Sequence, residues 1–384
     1  MNGAMEFETA LAAANLPGAV ALVTDSTGTR YLRAFGMADA VAGVPMREDT
    51  LFQIASMTKA LTSTAALQLV ERGQLDLDAP IGAILPDLAD LPVLEGFDEA
   101  GQPVLRAARV PVTLRHLLLH TAGCGYTFMD ETLLRCAKAG PKTAPGSRES
   151  LRLPLMFDPG TQWQYGTGTD WVGLAVEAVS GMPLQDWFDR ELTGPLGMSA
   201  TRFHSDLPAN ATQVHARDSQ GGEKGGFVTV PMVLGAGSYQ SGGGGLSSTA
   251  SDYARFLRMV LRGGELDGVR VVSPETARLM RADALPPSLS AGVLTSALPQ
   301  LATAFDPLPG QRGGWTLGGF LVNTETGPAG RSPGSLHWAG ILNCYYWIDP
   351  ARDIAGVFLA QLAPFADPGA LAAFAALERM ACAQ

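Results

Sequence analysis

Short apolar runs with β-branched and aromatic residues occupy both ends of this 384-residue chain, and helical spacing dominates between them. Residues 19–23 and 31–36 read as strands around the turn Asp25-Ser26-Thr27-Gly28, and residues 314–323, 335–349 and 354–362 read as strands again. From Phe52 the pattern changes. Met57, Ala60, Leu61, Leu67 and Val70 recur at three and four residues until Arg72-Gly73 stops the run. Further helices are expected over 112–120, 168–189, 251–262 and 368–382, with a hairpin turning at Asp98-Glu99-Ala100-Gly101. Strand segments that far apart form one layer only if the two ends of the chain meet, with a helical part inserted. The expectation is an α+β fold with a mixed, antiparallel sheet flanked by helices. Residues 1–60 and 240–384 make a discontinuous sheet domain, and 61–239 a mostly helical domain with substrate-lining loops. A cleft is expected where the two meet.

Composition narrows the partners. Hydrophobic residues at 46% and charged residues at 17% supply a large core and exclude wholesale disorder. A net charge of −10 leaves no basic excess for nucleic acid or anionic lipid. Cys124, Cys136, Cys344 and Cys382 form no C-x-x-C pair, so neither a disulfide framework nor structural zinc is expected. The first residues carry Glu6 and Glu8 where a secretory leader would be cationic. Pro364, Asp367 and Pro368 interrupt the most apolar stretch, 354–377, so no membrane span is expected there. These features suggest a cytoplasmic protein acting on a small molecule, with no metal and no cofactor; they leave oligomeric state open.

The chemistry concentrates at Ser56-Met57-Thr58-Lys59. On a helix, positions i and i+3 share a face, so hydroxyl and amine can meet. A serine hydroxyl becomes a useful nucleophile when a neighbouring base takes its proton. The tetrad is common by chance, and lysine usage gives it weight. Only Lys59, Lys138, Lys142 and Lys224 are lysines among 27 basic residues. Arginine serves wherever charge alone is needed, because it keeps its proton, whereas a desolvated lysine can act as a base. Lys138, Lys142 and Lys224 lie in polar, Gly- or Pro-flanked stretches; Lys59 lies in an apolar helix, where a charge is costly. Tyr165, after the turn Asp158-Pro159-Gly160, is a second candidate, since a phenol beside an amine can relay a proton. His337-Trp338-Ala339-Gly340-Ile341 offers a strand edge with small residues against which a substrate can lie.

Three patterns are decoys. Gly330-Arg331-Ser332-Pro333-Gly334 matches G-x-S-x-G, but Pro333 has no N–H to complete an oxyanion hole. His116 and His120 stand at i and i+4 without the glutamate of a zinc-protease motif, and read as structural. The run Gly242–Gly245 lacks both phosphate-binding Gly patterns and reads as a turn or a close packing point.

Together, Ser56-Met57-Thr58-Lys59, Leu117–Gly123, Tyr165-Gly166-Thr167, Ser241–Asp252 and His337–Gly340 resemble the serine β-lactamase-related hydrolases, over about residues 15–380. The branch they look most like is the family VIII carboxylesterases, which are similar to class C β-lactamases and penicillin-binding proteins. The resemblance implies a β-lactamase/transpeptidase-like fold, Ser56 as acyl-accepting nucleophile, and Lys59 with Tyr165 as general-base pair. It also implies an oxyanion hole from the backbone N–H of Ser56 and Ile341, and substrate contacts at Thr167, His337, Trp338, Ala339, Gly340 and Tyr126. Two departures point away from β-lactams. Thr167 stands where the family's asparagine would be, and Trp338 replaces a carboxylate-reading lysine, a contact worth roughly 1.5–3 kcal/mol. A carboxylesterase cleaving small, neutral, short-acyl esters follows, with β-lactam or D-alanyl peptide hydrolysis, acyl transfer and a non-catalytic binding role as alternatives. Treatment with a fluorophosphonate and peptide mass mapping should find the adduct on Ser56; an adduct on Ser332 would overturn the assignment.

Overall fold

The computed structural model describes residues 2–218 and 226–383; Lys224 and part of the loop-rich stretch 204–240 lie outside them. Strands of the central sheet are β1 (Gly18–Thr24), β2 (Thr29–Asp39), β3 (Val44–Pro45), β4 (Gly313–Trp315), β5 (Leu321–Asn323), β6 (Leu336–Gly340), β7 (Cys344–Asp349) and β8 (Ile354–Leu359). The helices that matter here are α1 (Asn2–Ala13), α2 (Thr58–Glu71), α3 (Gly168–Ser180), α4 (Ala250–Leu261) and α5 (Pro368–Cys382).

The eight strands run in the order β4-β5-β6-β7-β8-β1-β2-β3, each antiparallel to its neighbours. The two ends of the chain meet at β1 and β8, where Val20 lies opposite Leu359 and Val23 opposite Gly356. Every residue of β1, β7 and β8 is buried, as central strands covered on both faces must be. Alternation along β7 shows the two covers. Tyr345 and Trp347 meet Phe374 of α5, while Tyr346 meets Tyr253 of α4. Helix α1, which the strand-like reading of the opening segment missed, sits beside α5, and its Phe7 meets Tyr31 and Phe35 of β2 edge-on.

Three expected elements are divided. The strand over 335–349 is the hairpin β6–β7, turned at 341–343 with Asn343 at φ +59°. Asparagine tolerates that left-handed conformation, so the turn needs no Gly or Pro and leaves the apolar run unbroken. The strand over 314–323 is likewise the hairpin β4–β5. The helix over 168–189 is α3 followed by Leu184–Glu191, separated at Gly181 and Pro183. The expected helix over 112–120 is only Leu114–Leu118, because His120 takes φ +56°. Among the described residues, no helix is long and apolar enough to cross a membrane.

Away from the sheet, the hairpin of Val93–Phe97 and Pro103–Arg106 is tied to the turn that leads into Tyr165. Both guanidinium Nη atoms of Arg106 reach Asp158, at 2.8 and 2.9 Å, and the Arg109 N–H adds a third bond at 2.9 Å. Hydrogen bonds from Arg106 and then from the Arg109 backbone hold the Asp158 carboxyl at about 2, below its ordinary 3.8. A depressed carboxylate pKa contributes stability above the unfolded value, lost as pH falls through the folded one. Arg106→Met should therefore melt earlier than the parent at pH 6, with the gap narrowing from pH 4 toward pH 2. A gap independent of pH, by circular dichroism, would contradict this.

Candidate active site

The segment before α2 places Ser56 by strain and close approach. Gln53 lies opposite Ser247 in a short antiparallel bridge, and Ala55 takes φ +47°, uncommon for a residue with a side chain. A single turn, Ala55–Met57, then carries Ser56 into α2. Strand β6 comes in against this turn. A β-carbon on Gly340 would overlap Ile54 O and crowd the Ala55 side chain, so the glycine is what lets the strand end touch the turn.

Lys59, in the first turn of α2, is 1% exposed. Its Nζ stands 3.3 Å from Ser56 Oγ, 2.9 Å from Tyr126 Oη and 2.7 Å from Gly243 O. Three neighbours match the three donors of an ammonium, so the cost of burial is largely offset. Gly243 O can only accept, which commits one N–H to it. The weakest of the three contacts is the one to Ser56, so an uncharged amine could turn its lone pair there and keep the others. Around the same nitrogen lie two aromatic faces, with ring centroids 4.7 Å away for Tyr165 and 5.2 Å for Tyr126.

Asp170 fixes the carbonyl. This buried carboxylate, in the first turn of α3, accepts from Ser241 Oγ at 2.6 Å, the Gly243 N–H at 3.1 Å and Tyr239 Oη at 3.2 Å. A side chain on Gly243 would collide with that carboxylate, and one on Gly242 with Thr62 and the Thr169 carbonyl. The glycine run is therefore a packing point, as expected, and also supplies a ligand for the amine. Neither Asp170 nor Gly243 was among the expected site residues. The signal was available: Asp170 begins an apolar helical run, Trp171–Val176, where a charge needs an explanation.

The two phenols differ from expectation. Tyr165 presents its ring to Lys59, and its Oη accepts from Trp338 Nε1 at 3.0 Å. Tyr126, expected against substrate, is the phenol bonded to the amine. Desolvation, followed by the charges of Asp170, Tyr165 and Tyr239, pushes its pKa well above the ordinary tyrosine value, so it stays protonated. His120 packs on Tyr165 and Trp315, and burial with the charge of Lys59 holds it well below its ordinary value. His116 caps its own helix with Thr113, which fits the structural reading. Ser332 lies in a loop, with its backbone N–H on Asp349.

A cavity of about 290 Å³ opens beside Ser56. Ser56, Tyr165 and His337, Trp338, Ala339, Gly340 and Ile341 line it, with Phe128, Met129, Leu294 and Phe305 opposite. Ile341 is the first turn residue after β6 rather than part of the strand. Thr167 is not at the cavity: it precedes α3, with its N–H on Cys124 O at 3.1 Å.

The family model described as Beta-lactamase matches residues 6–380. The chain belongs to the beta-lactamase family. Monacolin J acid methylbutanoyltransferase from Aspergillus terreus is 33% identical over 380 residues, covering 94% of this chain and 90% of that protein. The lovastatin esterase of Penicillium rubens is 32% identical over 374 residues, covering 92% and 91%. A solved mutant of simvastatin synthase from Aspergillus terreus superposes with a TM-score of 0.85 at 31% identity, covering 100% of this chain and 94% of that one. The fold is the β-lactamase/transpeptidase-like one, and the chain is an enzyme of this serine-hydrolase family.

Tyr126→Phe removes one of three neighbours from a buried amine. A bond to a charged group is worth about 1.5–3 kcal/mol, so turnover of p-nitrophenyl butyrate should fall roughly ten- to hundredfold, with the melting temperature nearly unchanged. Unaltered turnover would show that the phenol does not hold the amine.

Proposed function

We propose that this protein is a serine acyl-transfer enzyme. It takes an acyl group from an ester onto Ser56 and passes it to an alcohol held in the adjoining cavity, with water as the competing acceptor. The observation that carries the reading is a buried amine 3.3 Å from Ser56 Oγ, beside a cavity walled by Phe128, Met129, Leu294, Phe305 and Trp338. An apolar acceptor gains from entering such walls, at roughly 25 cal/mol per Å² buried, whereas water gains nothing. The relatives lend support, being named for methylbutanoyl transfer and for lovastatin ester cleavage.

In the proposed cycle Lys59 Nζ accepts the Ser56 proton as Oγ adds to the ester carbonyl. Charge on the tetrahedral oxygen is met by the N–H groups of Ser56 and Ile341. Tyr165 delivers a proton to the departing alkoxide, its oxygen already receiving the Trp338 indole N–H. The acyl-enzyme then meets the acceptor: an alcohol gives a new ester, water gives the acid, and the same groups run in reverse. Trp338 contributes apolar surface and no charge, which favours a neutral ester over an anionic lactam. Simple hydrolysis, as a carboxylesterase, is the second reading, favoured by the esterase among the relatives.

The test is p-nitrophenyl butyrate with octanol present, followed by product analysis. Octyl butyrate should exceed butyric acid, and Ser56→Ala should yield neither. Butyric acid alone at every octanol concentration would replace transfer by hydrolysis, and turnover by Ser56→Ala would remove the acyl-enzyme.

A further inference from the structure

The same cavity has a second end that the chemistry above does not use. It reaches the opposite face of β6, where Leu371, Phe374 and Ala375 of α5 form an apolar wall. Arg331, Glu378 and His337 line that end, and all three side chains are more than nine-tenths buried. Arg331 belongs to the Gly330–Gly334 loop, whose serine was rejected as a nucleophile.

The three groups do not satisfy one another. Arg331 Nε stands 3.1 Å from Glu378 Oε1, so the charges balance, but the N–H is not aligned on that oxygen for a hydrogen bond. Arg331 Nη1, Glu378 Oε1 and His337 Nε2 are without hydrogen-bond partners in the structure. Burial, and then the charge of Arg331, keeps His337 uncharged by holding its pKa well below the ordinary value. A buried ion pair in an apolar wall is weak evidence for stability, since apolar residues of like volume commonly do as well. Groups of this kind in a cavity wall serve well as readers of a ligand.

We propose that Arg331, Glu378 and His337 form a specificity subsite for a hydroxyl group at the far end of an otherwise apolar substrate. The hydroxyl oxygen accepts from Arg331 Nη1, and its hydrogen goes to Glu378 Oε1 or His337 Nε2. A hydroxyl fits because it both donates and accepts, and because the Arg331 charge already has its counter-ion. A carboxylate would bring a second negative charge beside Glu378. From His337 to Gly340 the strand rises roughly 10 Å at about 3.3 Å per residue, so the hydroxyl stands several carbons from the ester.

This subsite rests on the proposed reading of Ser56 only for the orientation of the ligand, and the test separates the two. Alkylboronic acids, which add to a serine oxygen, are compared as inhibitors with their ω-hydroxy and ω-carboxy counterparts, from butyl to dodecyl. At one chain length the ω-hydroxy probe should inhibit about tenfold more tightly than the plain alkyl probe. Arg331→Met should abolish that preference while the plain probe binds as before. Glu378→Gln, which leaves the Arg331 charge unbalanced, should shift preference to the ω-carboxy probe. An ion pair with a structural role alone would lower the melting temperature without changing the ranking of probes. Equal inhibition by plain and ω-hydroxy probes at every length, or a preference that survives Arg331→Met, overturns the subsite. If Ser56→Ala binds all probes as tightly as the parent, it is the acyl-enzyme reading that fails, and the ω-hydroxy preference still reports on Arg331.

Discussion

Burying one amine beside one alcohol is the constraint around which this molecule is arranged. Lys59 is 1% exposed, and an ammonium taken from water must find acceptors for each of its hydrogens. Those acceptors come from three places far apart in the chain: Ser56 in the same turn, Tyr126 in the helical part, and Gly243 at the return to the sheet. Each must be held in place by something else. Asp170 anchors the Gly243 peptide, Ala55 accepts a left-handed backbone, and Gly340 yields the space for β6 to reach the nucleophile turn. The site is thus a junction at which three distant stretches of the chain are joined.

Much of this was legible because it rests on short-range pattern. The Ser56-x-x-Lys59 spacing fixes a contact within one helical turn, and the scarcity of lysine makes the buried one conspicuous. Short apolar runs at both ends imply that the ends share a sheet, and β1 lies beside β8. Of the divided elements, only the one over 335–349 lacks a breaker, since Asn343 bends the chain between two aromatic strands without a Gly or Pro; Gly318-Gly319 and Gly181 with Pro183 marked the other two breaks in the sequence. Helix α1 escaped because most of its apolar residues are alanines, which mark a buried face weakly, and because it packs on α5, a partner at the other end of the chain.

The roles of the two tyrosines could not be read from spacing. Which phenol reaches the amine depends on how the loop carrying Tyr126 packs against the turn carrying Tyr165, a tertiary fact. Their rings approach at 5.6 Å, and the indole of Trp338 claims the Tyr165 oxygen. The sequence resemblance puts that indole where a β-lactam-processing relative would carry a lysine; on that reading it brings no charge to the cavity, and it donates to the Tyr165 phenol. On the proposed function, an aromatic ring performing both tasks would let the constellation keep its alcohol, amine and phenol while favouring a neutral ester.

In the proposed cycle, the choice between water and an alcohol as final acceptor is a question of surface rather than of the groups around Ser56. Ser56, Lys59 and Tyr165 would do the same for either nucleophile, since both present an O–H to the same acyl carbon. What differs is the free energy of occupying the cavity. Phe128, Met129, Leu294 and Phe305 reward an apolar acceptor in proportion to the area it buries, at roughly 25 cal/mol per Å². An acceptor burying about 150 Å² of apolar surface gains nearly 4 kcal/mol on that scale, enough to offset much of the concentration advantage of bulk water. In the proposed cycle the walls of the cavity, and not Ser56, would therefore set the balance between hydrolysis and transfer.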